Sequence, residues 1–173
     1  VLEKYHEGLV CCSACLAGEV SQAILKGDME EAERVATWFK NVFGEDYYLE
    51  IQNNGIKEQV LVNQKLIELS RKLNIELVAT NDSHYLRRED AYNHEILLCI
   101  QTGKKITDED RMKFETDELY IKSPEEMADF FSGVPEAIVN TVKIADKCNV
   151  TFEFGHTILP NYDVPDGFAT HYD

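Results

Sequence analysis

The sequence predicts an α/β fold in which parallel strands are joined by helical crossovers. Three observations carry that expectation. Short apolar runs of strand length stand at residues 10–14, 47–51 and 75–80; stretches with helical periodicity separate them; and Gly, Asn or Asp marks most of the changes from one to the next. Strands separated by helices pair in parallel, as one layer or as part of a barrel, and these are too few to close a barrel alone.

Residues 10–14 read as a buried strand, followed by a short helix over 18–25 that ends at Gly27. A second helix starts at Asp28, which has capping-box spacing to Glu31, and carries Ala32, Val35, Ala36, Phe39, Val42 and Phe43 as one apolar stripe before Gly44. The strand at 47–51 closes at the turn formers Asn53, Asn54 and Gly55. A helix from about Lys57 to Leu73 then turns Val62, Leu66, Leu69 and Leu73 inward. After the strand at 75–80 a helix is expected over 88–101, with Ala91, Leu97 and Leu98 on its inner face and Gly103 as its stop. Residues 104–118 read as loop and 119–122 as extended. Ser123, Pro124 and Glu126 supply an N-cap, a first-turn proline and the reciprocal carboxylate of a further helix. A last helix over 135–148 is expected to bury Ile138, Val142 and Ala145.

The length and a hydrophobic share of 44% suit one domain with a genuine core. The opening at Val1 and the linker-like end, with Pro160, Asn161, Pro165 and Gly167, give the expectation of a fragment. Asp and Glu number 32 against 17 Lys and Arg, a net charge of −15 that opposes attraction to a phosphate backbone and argues against DNA binding by this stretch alone. An acidic surface fits a support domain in a larger assembly or a divalent-metal site, and equally plain solubility. The apolar run at 8–18 is too short to span a bilayer and lacks the cationic start of a signal peptide. Cysteines at 11, 12, 15, 99 and 148 form an odd set without secretory context, which suggests reduced thiols and a cytoplasmic location.

Asp82 and His84 lie two apart beyond the third strand, so an extended backbone would project both side chains to the same side. Strand ends are where α/β folds gather ligands, and a carboxylate beside an imidazole suits zinc, manganese or iron. The competing reading is that Asp82 caps a turn and His84 is a packed, hydrogen-bonded residue. Cys12 and Cys15 have C-x-x-C spacing, yet no second close pair supports a zinc knuckle, and Cys11 and Cys12 read as thiols packed in a strand. Cys15 sits at a strand-to-helix corner with Leu16, Ala17 and Gly18. Asp90 and His94, four apart on a helix, read as structural, and His6, His156 and His171 have no evident partner.

The segments Gly8-Leu9-Val10 through Cys15-Leu16-Ala17-Gly18, Tyr48-Leu49-Glu50-Ile51-Gln52 and above all Ala79-Thr80-Asn81-Asp82-Ser83-His84-Tyr85 resemble the polymerase-and-histidinol-phosphatase (PHP) domain of bacterial DNA polymerase III α subunits. The resemblance continues in order through His94-Glu95-Ile96-Leu97-Leu98 to Lys104, Tyr120-Ile121-Lys122-Ser123-Pro124-Glu125-Glu126-Met127 and Leu159-Pro160-Asn161-Tyr162. It implies the C-terminal part of a PHP-type (β/α) barrel with extra helices, an incomplete PHP portion over 1–153, and a linker over 154–173 toward a polymerase palm.

By the same resemblance, Cys15, Asp82 and His84 would be metal ligands for zinc or manganese, and the family's opening His-x-His would precede Val1. The palm carboxylates that hold magnesium would lie beyond the chain, which leaves no catalytic residue within it. The implied function is a share in template-directed DNA synthesis during chromosome replication, with sliding clamp, proofreading exonuclease and DNA as partners of the parent protein. For the PHP region itself three readings compete: a metal-dependent 3′–5′ proofreading nuclease, a scaffold that docks a separate exonuclease, and a stand-alone phosphoesterase.

Overall fold

The computed structural model describes residues 1–157 together with 159 and 166. After a one-turn helix α1 (Leu2–Tyr5), the order is β1 (Cys11–Cys12), α2 (Glu19–Leu25), α3 (Met29–Phe43), β2 (Tyr47–Gln52), α4 (Lys57–Leu73), β3 (Glu76–Thr80), α5 (Ala91–Thr102), α6 (Pro124–Phe130) and α7 (Pro135–Lys147). The strands form one parallel sheet in the order β1-β2-β3, with Cys11 opposite Tyr47, Tyr48 opposite Glu76 and Gln52 opposite Thr80. The expected parallel α/β layer is therefore present. The linker expected over 154–173 lies largely outside the described residues.

Alternation along β2 divides the sheet chemically. Tyr47, Leu49 and Ile51 join Leu77 and Ala79 in the main core, with Val35 from α3 and Val62, Leu66 and Leu69 from α4. Glu50, Gln52 and Thr80 project from the other face at the C-terminal strand ends, where Thr80 donates to Glu50 at 2.5 Å and Gln52 donates to Thr80 at 3.1 Å. The caps form as expected. Asp28 accepts from the Glu31 amide, and Ser123 and Glu126 make a reciprocal box at the start of α6.

Two helix faces differ from expectation. Along α5, Leu98 and Cys99 are buried whereas Leu97 is 61% exposed; along α7, Ala137 and Asn140 are buried whereas Val142 and Ala145 are exposed. Both helices carry more apolar residues than one stripe can hold, so periodicity alone does not choose the inner face. In α7 the choice follows a polar contact: Asn140 donates from Nδ2 to the Leu77 carbonyl of β3 at 2.7 Å. The first strand is also shorter than expected, because Ala14 adopts φ +63 and turns the chain immediately after Ser13.

Candidate metal centre at the strand ends

The corner that carries Cys15 is built on close backbone packing. Ser13 donates its amide to the Tyr48 carbonyl and accepts from the Glu50 amide, so it ties β1 to β2 just before the turn. The Gly18 amide then closes the turn on the Cys15 carbonyl at 2.9 Å, and a Cβ at Gly18 would lie 2.2 Å from the Ser13 carbonyl oxygen. Only glycine fits that approach. Cys15 borders a small cleft with Glu50, Gln52, Gln59 and Asn63.

The segment after β3 turns at once. Asp82 sits in the left-handed region at φ +50, which Asp tolerates better than most residues. The extended geometry expected from the two-residue spacing is thus absent, yet the pair still meets, with His84 Nε2 3.3 Å from Asp82 Oδ1. The turn is pinned from below by two asparagines. Fully buried Asn54 donates to the Asn81 carbonyl at 2.6 Å and the Glu118 carbonyl at 3.2 Å, while Asn81 donates to Ser83 Oγ at 2.9 Å and the Tyr120 carbonyl at 2.7 Å. The His84 amide reaches the Leu119 carbonyl at 2.8 Å, beside a parallel bridge between Tyr85 and Tyr120.

Aromatic rings flank the His84 side chain, which stays 30% exposed. Its centroid lies 5.0 Å from Phe114 and 5.3 Å from His94, and His94 also meets Phe114 at 5.7 Å and Tyr85 at 5.5 Å. Burial, with help from neighbouring His84, pushes the His94 imidazole below its usual pKa and favours the neutral ring. The spacing of His94 to Asp90 is therefore less informative than its packing on His84. Sequence reading missed Asn54, Gln59, Phe114, His94 and Lys122 as the surroundings of this turn; the Asn and Gly at 54–55 were legible only as a turn signal.

Cys11 and Cys12 are packed thiols. Burial raises both, and Cys12, with Glu50 and Cys11 adding to the effect, is pushed up to about 11. His6 contacts the Glu3 carbonyl, His156 is exposed, and His171 lies outside the described residues.

The structure brings Asp82 and His84 together and places Cys15 in the cleft beside Glu50. Among the described residues no group of three or more His, Cys, Asp and Glu side chains is gathered closely enough to hold a metal ion. The donor chemistry of Asp82 and His84 suits a divalent ion, but two donors form only part of a tetrahedral shell, so the described residues do not make a closed site.

Residues 1–54 match the family model described as the PHP domain. The chain is 51% identical to DNA polymerase III subunit alpha of Borreliella burgdorferi over 98% of its length, 45% identical to that of Treponema pallidum over 99%, and 40% identical to that of Thermus aquaticus over 96%. It spans 15%, 15% and 14% of those relatives respectively. No helix among the described residues is long and apolar enough to cross a membrane. Identity at this level from end to end, with the PHP match at its start and a parallel α/β sheet, shows that the chain belongs to the DNA polymerase III α-subunit family as a stretch containing PHP-domain sequence.

Proposed function

We propose that this chain serves within a DNA-directed DNA polymerase of bacterial chromosome replication, as the part of its PHP region that carries the last barrel strands. The observation that carries this reading is the 51% identity over 98% of the chain to a relative named as the polymerase III α subunit. Nucleotide addition belongs to the rest of such a protein, where palm carboxylates would hold magnesium. This stretch supplies a support and a metal-binding rim. Primer extension by the full-length protein that contains the chain tests the reading: template-dependent extension supports it, and a folded full-length protein without extension contradicts it.

At the rim, Asp82 and His84 offer two ligands for zinc or manganese, with Cys15 as a further candidate, and the remaining ligands come from elsewhere in the protein. A divalent ion there would supply an activated water for 3′–5′ proofreading. Within the chain, the Asn54 and Asn81 contacts hold the ligand turn, and the neutral His94 ring packs beside His84 without adding charge.

A second reading, docking of a separate proofreading exonuclease, is favoured by the outer face of α5, where Tyr92, Leu97 and Ile100 are all more than half exposed. The sliding clamp and DNA would be engaged through the full-length protein, in the cytoplasm. The match of segments beyond Gly103 to α subunits supports these readings over a stand-alone phosphoesterase.

A further inference from the structure

Lys122 is an unusual residue to bury. Its side chain is 1% exposed in a chain with net charge −15, and taking an ammonium out of water costs several kcal/mol unless its donors are satisfied. An apolar residue could fill the same space between the Tyr120 and Phe130 rings, which lie 4.5 and 5.5 Å from Nζ. What an apolar residue could not do is reach the turn. Nζ lies 3.2 Å from Asn81 Oδ1, donates to the Glu118 carbonyl, and sits 3.5 Å from Glu118 Oε2.

The acceptors of Lys122 are the anchors of the ligand turn itself. Asn81 immediately precedes Asp82, and the Glu118 carbonyl is shared with Asn54, which also holds the Asn81 carbonyl. Glu118 is fixed from the opposite side by Arg88, whose Nη1 is 2.5 Å from Oε1 and whose guanidinium lies over the Tyr120 ring. Tyr120 in turn donates to Glu126 at 2.7 Å, in the cap of α6. The ammonium therefore joins the start of α6 to the turn beyond β3.

We propose that Lys122 is a positioning residue, whose buried ammonium locks Asn81 and Glu118 so that Asp82 and His84 are presented side by side. Its functional meaning rests on the reading of Asp82 and His84 as metal ligands. The positioning role can be measured without any metal.

The test is amide hydrogen exchange with NMR of the His84 ring in the full-length protein that contains the chain, as wild type, Lys122→Met and Asn81→Ala. Lys122→Met keeps the apolar stem and removes the charge; Asn81→Ala removes the acceptor of Lys122 together with the bonds that Asn81 donates to Ser83 and the Tyr120 carbonyl, and stands as the second variant should the first not fold. We expect protection of the His84 and Tyr85 amides to fall about tenfold in Lys122→Met, as for loss of a charged hydrogen bond, and by more in Asn81→Ala, which loses two further bonds. The β2 amides of Leu49 and Ile51 should change by less than about twofold, because the hydrogen bonds of Lys122 go to Asn81 and Glu118 and not to β2. The His84 ring resonances should move as its contacts with Phe114 and His94 are lost. Unchanged His84 and Tyr85 protection overturns the proposal, and so does an equal fall in β2, which would make Lys122 a general packing residue. Metal content is a separate measurement: local loosening with metal retained counts against the metal reading and leaves the positioning role intact.

Discussion

Asn54 Nδ2 lies 2.6 Å from the Asn81 carbonyl, a contact that ties the end of β2 to the turn beyond β3 across 27 residues of sequence. The same amide reaches the Glu118 carbonyl, and Asn54 is itself held by Gln59, whose Oε1 accepts its backbone amide at 2.7 Å and whose Nε2 donates to its Oδ1 at 3.1 Å. One fully buried side chain thus serves two loops that have no regular structure of their own.

Asn54→Ala leaves both carbonyls without that donor. A destabilisation of about 1–3 kcal/mol follows from the cost of an unsatisfied buried polar group, since the Glu118 carbonyl keeps its bond from Lys122 while the Asn81 carbonyl loses its donor. Denaturant unfolding of the variant checks it, and a midpoint equal to the wild type would show that water replaces the amide without loss.

Gly18→Ala tests the Cys15 corner. Its Cβ would fall 2.2 Å from the Ser13 carbonyl, and backbone cannot yield as a flexible side chain can. The expected cost is about 1–3 kcal/mol, with the corner displaced. Thermal unfolding reads the cost, whereas Gly133→Ala, where a Cβ would meet nothing within 4 Å, serves as the control without a steric clash.

Cys12 supplies a pH dependence. Its thiol titrates near 9.0 when freely solvated and at about 11 in the fold, so between those values the folded chain holds more protons than the unfolded one. Stability from this group is therefore complete below about pH 9 and is lost as pH rises through about 11. Stability measured by unfolding from pH 8 to pH 11 should decline less steeply in Cys12→Ala. At pH 8, alkylation should reach exposed Cys148 well before Cys12.

Much of this architecture was legible from local chemistry. The caps at Asp28 and Ser123, the α3 stripe and the alternation of strands with helices are written in residues three or four apart, the distance over which sequence pattern reports structure. The nearness of Asp82 and His84 was legible too, although a left-handed turn rather than an extended strand produces it. Contacts such as Asn54 to Glu118, 64 residues apart, leave no periodic signal, and neither does the burial of Lys122 or the packing of His94 on His84. The inner face of α7 escaped because Val139 and Val142 look as apolar as the residues that are buried, and a single side-chain hydrogen bond from Asn140 settles which face meets β3.

Arg88→Met should loosen the far side of the same turn. Removing the guanidinium leaves Glu118 beside Lys122 alone and takes away the 3.2 Å donor to the Tyr120 hydroxyl. Because the Arg88 head group is partly solvated, the loss is expected to be smaller than that of Asn54→Ala. Chemical denaturation checks the size, and a loss near that of Asn54→Ala would mean the pair is shielded from water.

The proposed metal binding requires Asp82 and His84 to act together on a cation. The measurement that addresses it most directly is elemental analysis of bound zinc and manganese in the full-length protein, before and after the paired change of Asp82→Ala and His84→Ala, with primer extension followed in parallel. Bound transition metal is expected to fall to background while polymerisation persists; full retention of the metal in a folded double variant would remove Asp82 and His84 as its ligands.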